Sequence, residues 1–209
     1  MRFDTKIAIA VREDLAAWQK LNVTAFLASA VAGGRPEVIG ERYEDGSGHV
    51  YLPMFRQPVL IYAAGARACQ AVAMRFDTKI AIAVREDLAV WQKLNVTAFL
   101  ASAVAGGRPE VIGERYQDGS GHLYLPMFRQ PVLVYAASGQ ALSDAHGRAL
   151  ACGLDIAVYI EDMFKTGHDA DNRAAVRAVT AGEMTLVGLA VYGPKNAVDK
   201  IFKGIPLHP

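Results

Sequence analysis

The sequence predicts an α/β protein, because short continuous apolar runs alternate along the chain with segments of helical periodicity. These runs cover residues 79–84, 132–135, 156–160 and 185–192. A strand that is apolar at every position is typical of a sheet buried on both faces. The alternation of strands and helices therefore predicts a sheet that helices cover on both sides.

The segment after the first of these strands carries the signals of a helix. Leu94, Ala98, Ala101 and Ala105 are spaced three or four residues apart, and Asp87 is a candidate N-cap. Two glycines after residue 105 end the pattern. Further helices are predicted over residues 140–152, 173–179 and 194–203.

Between the first helix and residue 132 the sequence predicts a hairpin. Residues 111–116 and 122–125 flank Asp118-Gly119-Ser120-Gly121. Glycine supplies the positive φ that a tight turn needs, so the two flanking segments are expected to pair. Residues 161–172 are polar and are predicted to form a loop.

An internal repeat precedes these elements. Residues 1–64 align with residues 74–137 at a constant offset of 73, and four of the 64 positions differ. We call these segments the N-terminal repeat and the C-terminal repeat. Identity then stops, since residues 65–73 have no counterpart after residue 137. The pattern predicts a partial tandem duplication, with residues 1–73 as a truncated duplicate and residues 74–209 as a complete α/β domain.

The truncated duplicate has apolar faces but lacks the later strands and helices that would cover them. Three arrangements stay open: it lies on the complete domain, it replaces its equivalent there by swapping, or it is poorly ordered. Self-association through residues 1–73 is a related hypothesis, and the chain is expected to be a homo-oligomer.

Composition restricts the classes of partner. Hydrophobic residues make up 52% and charged residues 21% of the chain, with a net charge of +1. Residues 74–209 contain 14 basic and 14 acidic residues, whereas nucleic-acid-binding domains usually carry a basic surplus. No apolar run approaches the roughly 20 residues that span a bilayer. The first residues do not resemble a signal peptide, so we expect a cytoplasmic protein without a membrane partner.

The two cysteines, Cys69 and Cys152, do not form a Cys-x-x-Cys motif. Each lies in an apolar stretch, and we expect both to be small buried side chains. A disulfide or a catalytic thiol is the alternative.

Three short stretches carry a family resemblance. They are Val84-Arg85-Glu86-Asp87-Leu88, Asp162-Met163-Phe164-Lys165-Thr166, and Val191-Tyr192-Gly193-Pro194 with Ile205-Pro206-Leu207. In order and spacing the chain resembles a bacterial family of uncharacterised proteins, the domain of unknown function 2000, placed in the peptidyl-tRNA hydrolase type 2 superfamily. The resemblance covers residues 74–207. It implies a three-layer α/β/α fold with a mixed sheet, to which the hairpin at 111–125 is added.

The resemblance also implies a catalytic group of Lys93, Asp162 and Thr166. With one residue deleted, Lys93 takes the place of the lysine in the hydrolases' Gly-Lys-x-Ala-Ala-Gln motif, although Gln92-Lys93-Leu94-Asn95 differs around it. Asp162 could orient water or Thr166, and Lys93 could stabilise an oxyanion. The alternative is a surface lysine with an aspartate and a threonine that form loop turns and caps.

Arg85, Asp87 and His168 are candidate ligand-binding residues. The first two lie at the carboxyl end of the first strand, where open α/β sheets bind ligands, and Asp162 lies beyond a neighbouring strand. Ion pairing or helix capping would explain them equally well. His168 lies in Gly167–Asn172, which resembles a metal or phosphate loop but also a polar loop that leads into a capped helix. No metal and no cofactor is predicted.

Two functions stay open on this basis. The first is a hydrolase of an ester or amide on a peptidyl-tRNA hydrolase type 2-like scaffold, with tRNA as a partner that the resemblance implies. The second is a non-enzymatic domain that binds a small molecule or has a regulatory role.

Overall fold

The computed structural model describes residues 6–57, 59–64 and 76–209. In the N-terminal repeat the elements are β1 (Ile7–Arg12), α1 (Ala17–Gly34), β2 (Tyr43–Glu44), β3 (Val50–Tyr51) and β4 (Val59–Ala64). In the C-terminal repeat the same order gives β5 (Thr78–Arg85), α2 (Val90–Gly107), β6 (Tyr116–Gln117), β7 (Leu123–Tyr124) and β8 (Val132–Ala137). The remainder contains α3 (Gly139–Ala151), β9 (Asp155–Ile160), α4 (Asp169–Arg177), β10 (Leu186–Pro194) and α5 (Lys195–Ile201).

The main sheet has four strands in the order β8-β5-β10-β9. β5 and β8 are parallel, as expected when a helix connects them, while β10 is antiparallel to both β5 and β9. The sheet is therefore mixed. The carboxyl ends of β5, β8 and β9 lie at one edge of the sheet, which positions the loops that follow β5 and β9 beside each other.

Both faces of this sheet are covered, as the apolar runs predict. Every residue of β10 from Leu186 to Val191 is buried. A Cβ atom on Gly188 would lie against Val96 and Leu100 of α2, so a glycine is needed where that helix crosses the strand. On the other face, Gly193 approaches Leu154, which follows α3.

The N-terminal repeat builds a smaller unit. β1 and β4 pair in parallel from Ile7 opposite Val59 to Arg12 opposite Ala64. α1 packs along α2, and these two helices form the most extensive helix–helix contact among the described residues. The division into residues 1–73 and 74–209 stays a prediction.

Each repeat also forms the predicted hairpin, but with shorter strands than expected. A 3-10 turn at Pro109–Val111 replaces the start of the predicted strand 111–116, and pairing is limited to β6 and β7 plus a bridge between Ile112 and Phe128. Gly121 has a φ of 89°, which explains the glycine in the turn. We call residues 39–57 the N-terminal hairpin and residues 112–130 the C-terminal hairpin.

Three further expectations require correction. α2 begins at Val90 after Ala89, because Asp87 pairs with Arg85 and does not cap the helix. The predicted loop 161–172 instead contains a 3-10 helix over residues 161–165 and the start of α4, which His168 caps. β10 continues through Gly193 to Pro194 because Pro194 remains paired opposite Thr78.

Cys152 is exposed, which corrects the expectation of a buried side chain. It is the C-cap of α3, where the helix ends at the surface before Gly153 turns the chain with a φ of 62°. Cys69 lies outside the described residues. Within those residues, no helix combines the length and the apolar character that a membrane crossing requires.

Candidate functional site

The structure does not place the three predicted catalytic residues around one point. Lys93 lies in the first turn of α2. Burial lowers the pKa of His208 near the C-terminus, the Lys93 charge adds to that shift, and a hydrogen bond with the Pro209 backbone opposes it. Asp162 is exposed, and its carboxylate accepts a hydrogen bond of 2.8 Å from the Lys165 ammonium. Thr166 alone of the three lines the cavity described below. Lys93 and Asp162 do not line that cavity.

Arg85 joins the carboxyl ends of β5 and β9, as the strand order predicts. Its Nε donates to Asp87 Oδ1 at 2.7 Å, and its Nη1 donates to Glu161 Oε2 at 3.3 Å. These ion pairs fix the loops after the two strands. Neither Arg85 nor Asp87 lines the cavity.

A cavity of about 90 Å³ lies between α2, the 3-10 helix at 161–165, the start of α4 and the N-terminal hairpin. Four lining side chains are aromatic and form what we call its aromatic side: Trp91, Phe99, Tyr159 and Phe164. The polar lining residues are Arg56, Gln57, Asn95, Thr166, His168, Asp169 and Asn172.

The aromatic side is a continuous set of edge and tilted ring contacts. The ring centroids of Trp91 and Phe164 are 6.0 Å apart, those of Phe164 and Tyr159 5.2 Å, and those of Tyr159 and Phe99 5.6 Å. Such ring contacts are favourable, and Phe99 and Tyr159 are buried whereas Trp91 is 61% exposed. The rings offer an apolar surface to a small planar group.

A wider groove of about 270 Å³ lies beside the cavity and shares Arg56, His168 and Asp169 with it. Its other walls include Gly40 and Glu41 of the N-terminal hairpin and Arg173 of α4. The shared residues form the boundary between the two spaces.

Asp169 is a nearly buried carboxylate at this boundary, with 8% of its surface exposed. Its Oδ1 accepts a hydrogen bond of 3.1 Å from the Tyr43 hydroxyl, and its Oδ2 is paired with Arg173. Burial raises the pKa of Asp169, and the nearby Arg173 charge and Tyr43 hydrogen bond oppose that shift. The same burial raises the pKa of Tyr43, so the phenol is neutral.

Thr166 and His168 are held by the first turn of α4. The Thr166 hydroxyl donates to Met163 O at 2.8 Å and contacts Asn172 Oδ1. His168 Nδ1 accepts from Asp171 N at 3.4 Å as the N-cap, while its Nε2 lies 3.3 Å from Asp171 Oδ2. Both side chains are therefore positioned at the cavity wall.

Asn95 contributes a polar atom without a partner. Its Oδ1 is buried and accepts no hydrogen bond from any of the described residues. An unpaired buried acceptor costs about 1–3 kcal/mol. A cavity beside such an atom is suited to a molecule that carries a donor.

Several of these residues have no signal in the linear sequence. Tyr43 and Arg56 lie in the N-terminal repeat, and identical residues occur at positions 116 and 129. Asp169 and Asn172 lie in the polar stretch considered as a metal or phosphate loop. In the described part of the chain, no three His, Cys, Asp or Glu side chains gather into a group that could hold a metal ion.

Comparisons with known proteins support the resemblance to the family of uncharacterised proteins. The family model described as a protein of unknown function (DUF2000) matches residues 5–76 and 78–209. The solved structure of the protein of unknown function Atu0240 from Agrobacterium tumefaciens strain C58 is similar, with 47% sequence identity and a TM-score of 0.63. The match covers 65% of this chain and 100% of the Agrobacterium chain. No curated protein is significantly similar to the chain.

Proposed function

The chain belongs to the DUF2000 family of proteins of unknown function, and we propose from the cavity itself that it binds a small organic ligand. The observation that carries the proposal is Asn95, which lines a cavity with an aromatic wall and whose buried Oδ1 has no donor among the described residues. A ligand N–H or O–H group would satisfy this acceptor.

The size of the cavity limits the inner part of the ligand. A dry cavity of about 150 Å³ is known to hold benzene. The space of about 90 Å³ next to Asn95 is smaller and suits a five-membered ring or an amide group. The remainder of the ligand would extend into the adjoining groove of about 270 Å³.

The groove is lined by Arg56 and Arg173 and by the carboxylates of Glu41 and Asp169, and both carboxylates pair with Arg173. Arg56 lines both spaces and has no carboxylate partner among the described residues. The N-terminus of α4 lies beside it, and the helix dipole also favours negative charge there. We therefore expect a ligand with an inner donor and an outer carboxylate or phosphate.

A hydrolase on the peptidyl-tRNA hydrolase type 2-like scaffold is the second candidate. The hydroxyl of Thr166 at the cavity wall supports it, and so does the mixed sheet with helices on both faces. Lys93 and Asp162 would have to act from outside the cavity wall, so ligand binding without catalysis is the simpler proposal. The family resemblance is the support for tRNA as a partner.

Tryptophan fluorescence can test ligand binding directly, because the chain has two tryptophans, Trp18 and Trp91. A Trp18→Phe variant leaves Trp91 at the cavity as the only indole emitter. Pyrrole-3-carboxylate, which has a ring N–H and a carboxylate, should change this emission in a saturable way. Furan-3-carboxylate, which replaces the N–H with an acceptor, should bind at least tenfold more weakly.

The Trp91→Phe variant is the matched control, because it retains only Trp18 on the equivalent turn of α1. Its emission should not respond to either compound. Equal responses from the two variants, or equal affinities for the pyrrole and the furan, would contradict a site at Asn95.

A further inference from the structure

The two hairpins cross over between the halves of the chain. The N-terminal hairpin does not remain on its own strand β1 but lies on the main sheet and the elements after it. Leu52 N donates to Ile156 O of β9 at 2.8 Å, and Gly46 N donates to Val179 O after α4 at 2.9 Å. This is how Arg56 and Gln57 come to line the cavity, and Gly40 and Glu41 the adjoining groove.

The C-terminal hairpin makes the reciprocal contact with the N-terminal repeat. Phe55 N donates to Ser102 Oγ of α2 at 3.0 Å. Phe128 N, its equivalent, donates to Ser29 Oγ of α1 at 3.1 Å. One hydrogen bond is thus made twice, with the roles of the two repeats exchanged.

The same reciprocity holds where the helices end. A Cβ atom on Gly33 would lie 3.0 Å from the side chain of Ile112, and one on Gly106 would lie 3.0 Å from the side chain of Ile39. Residue i of each repeat thus contacts residue j of the other. That relation defines an isologous interface, the kind that joins two identical subunits about a two-fold axis.

We infer that the N-terminal repeat takes the place of a second subunit, and that a one-repeat protein of this family pairs with a second copy through the same hairpin exchange. The site in each subunit is then completed by Tyr43 and Arg56, or their equivalents, from the other. This inference concerns assembly and does not depend on the ligand proposed above.

The composition of α2 supports a partner on its outer face. Eleven of its 18 residues are buried, with apolar residues on all sides of the helix. A helix that is apolar all round needs cover on every side. The main sheet covers one side and α1 covers another, so a chain without α1 would need a second copy of α2 in its place.

The two hairpins have different surroundings, because the segment after residue 137 occurs once. Tyr51 donates to Asp45 at 2.8 Å and lies 3.2 Å from His146 of α3, and the phenol is 1% exposed. Tyr124 makes the equivalent bond to Asp118 at 2.8 Å but is 54% exposed. The chain therefore has one complete site and one incomplete half.

Light scattering after size exclusion tests the inference on two intact proteins. Because the N-terminal repeat occupies the partner's place, this chain should elute with its one-chain mass of 22.5 kDa and not as the homo-oligomer that the sequence alone predicts. The whole length of Atu0240 matches 65% of this chain, and Atu0240 should elute with twice its one-chain mass. A monomeric Atu0240 would overturn the inference.

A cysteine pair identifies the surface that is used. In a background free of Cys69 and Cys152, Ile39→Cys with Gly106→Cys should crosslink within one chain of this protein under mild oxidation. The equivalent pair in Atu0240 should crosslink between two chains. Crosslinking within a single Atu0240 chain, even in a dimer, would show that its hairpin is not exchanged and would refute the proposal.

Discussion

The hydroxyl of Tyr43 donates a 3.1 Å hydrogen bond to the carboxylate of Asp169, across 126 positions of sequence. Tyr43 is fully buried by this contact, whereas Tyr116, the same residue in the C-terminal repeat, is 48% exposed. The C-terminal repeat thus provides, within the same protein, a matched control position for each position of the N-terminal hairpin.

Replacing Tyr43 with phenylalanine should destabilise the protein by about 1–3 kcal/mol, because a buried carboxylate loses a hydrogen bond. Tyr116→Phe should change the free energy of unfolding by less than about 0.5 kcal/mol, as is usual for surface positions. Urea unfolding of both variants measures the difference. Equal losses would show that the contact with Asp169 contributes nothing specific.

Gly40→Ala should also destabilise the protein, because the added Cβ would overlap the carboxylate of Asp169. The expected cost is about 1–3 kcal/mol, typical of overpacking. At Gly113, the equivalent position, the nearest atom to an added Cβ is 3.4 Å away. Gly113→Ala should therefore be neutral or slightly stabilising in the same unfolding measurement.

Arg56→Ala should weaken binding of pyrrole-3-carboxylate by about tenfold, which corresponds to about 1.4 kcal/mol for one lost ion pair. Arg129, its equivalent, lies with its guanidinium 6.0 Å from the ring centroid of Phe76 and does not line the cavity. Arg129→Ala should leave the affinity unchanged in the same fluorescence titration. A loss in both variants would indicate a general effect of net charge.

Stability should fall as the pH is lowered from 7 to 5, in part through His146. Burial lowers the pKa of His146 to about 4, from an ordinary value of 6.5. The unfolded chain therefore binds a proton in this range that the folded protein does not bind. Stability is fully present above pH 6.5, and this histidine should remove about 2 kcal/mol of it by pH 5.

A His146→Gln variant isolates this contribution from those of other titrating groups. The difference in unfolding free energy between pH 7 and pH 5 should be smaller in the variant by about 2 kcal/mol. Unfolding in urea at the two pH values provides the measurement. An unchanged difference would mean that His146 binds its proton equally well in both states.

The sequence predicts the strands of the main sheet well, because each is a continuous apolar run that burial on both faces requires. Residues 156–160, for example, are predicted as a strand and form β9 with one added residue. Local capping is harder to predict. Asp171 and Asn172 are residue types that cap helices more often than histidine does. His168 nevertheless caps α4, because the helix begins at Asp169, within the stretch whose polar residues predict a loop.

The site is less predictable for a different reason. Resemblance and strand order point to Thr166, which lines the cavity, and to Asp162 and Lys93, which do not. Tyr43 and Arg56 have identical copies at positions 116 and 129, and no local property of the sequence indicates which copy meets α4. That choice depends on how two repeats of one chain pack, which is a long-range property.

Exposure of the C-terminal hairpin has an evolutionary consequence. Its outward residues contact no counterpart of His146 or Asp169, so selection for folding constrains them less than their copies at positions 43–52. The two differences that fall within the hairpins, Glu44/Gln117 and Val50/Leu123, are at positions exposed in both copies. Natural variants of the gene should accumulate changes at Tyr116, Asp118 and Tyr124 while the buried Tyr43, Asp45 and Tyr51 stay fixed, so that one ancestral segment becomes two with different rates of change.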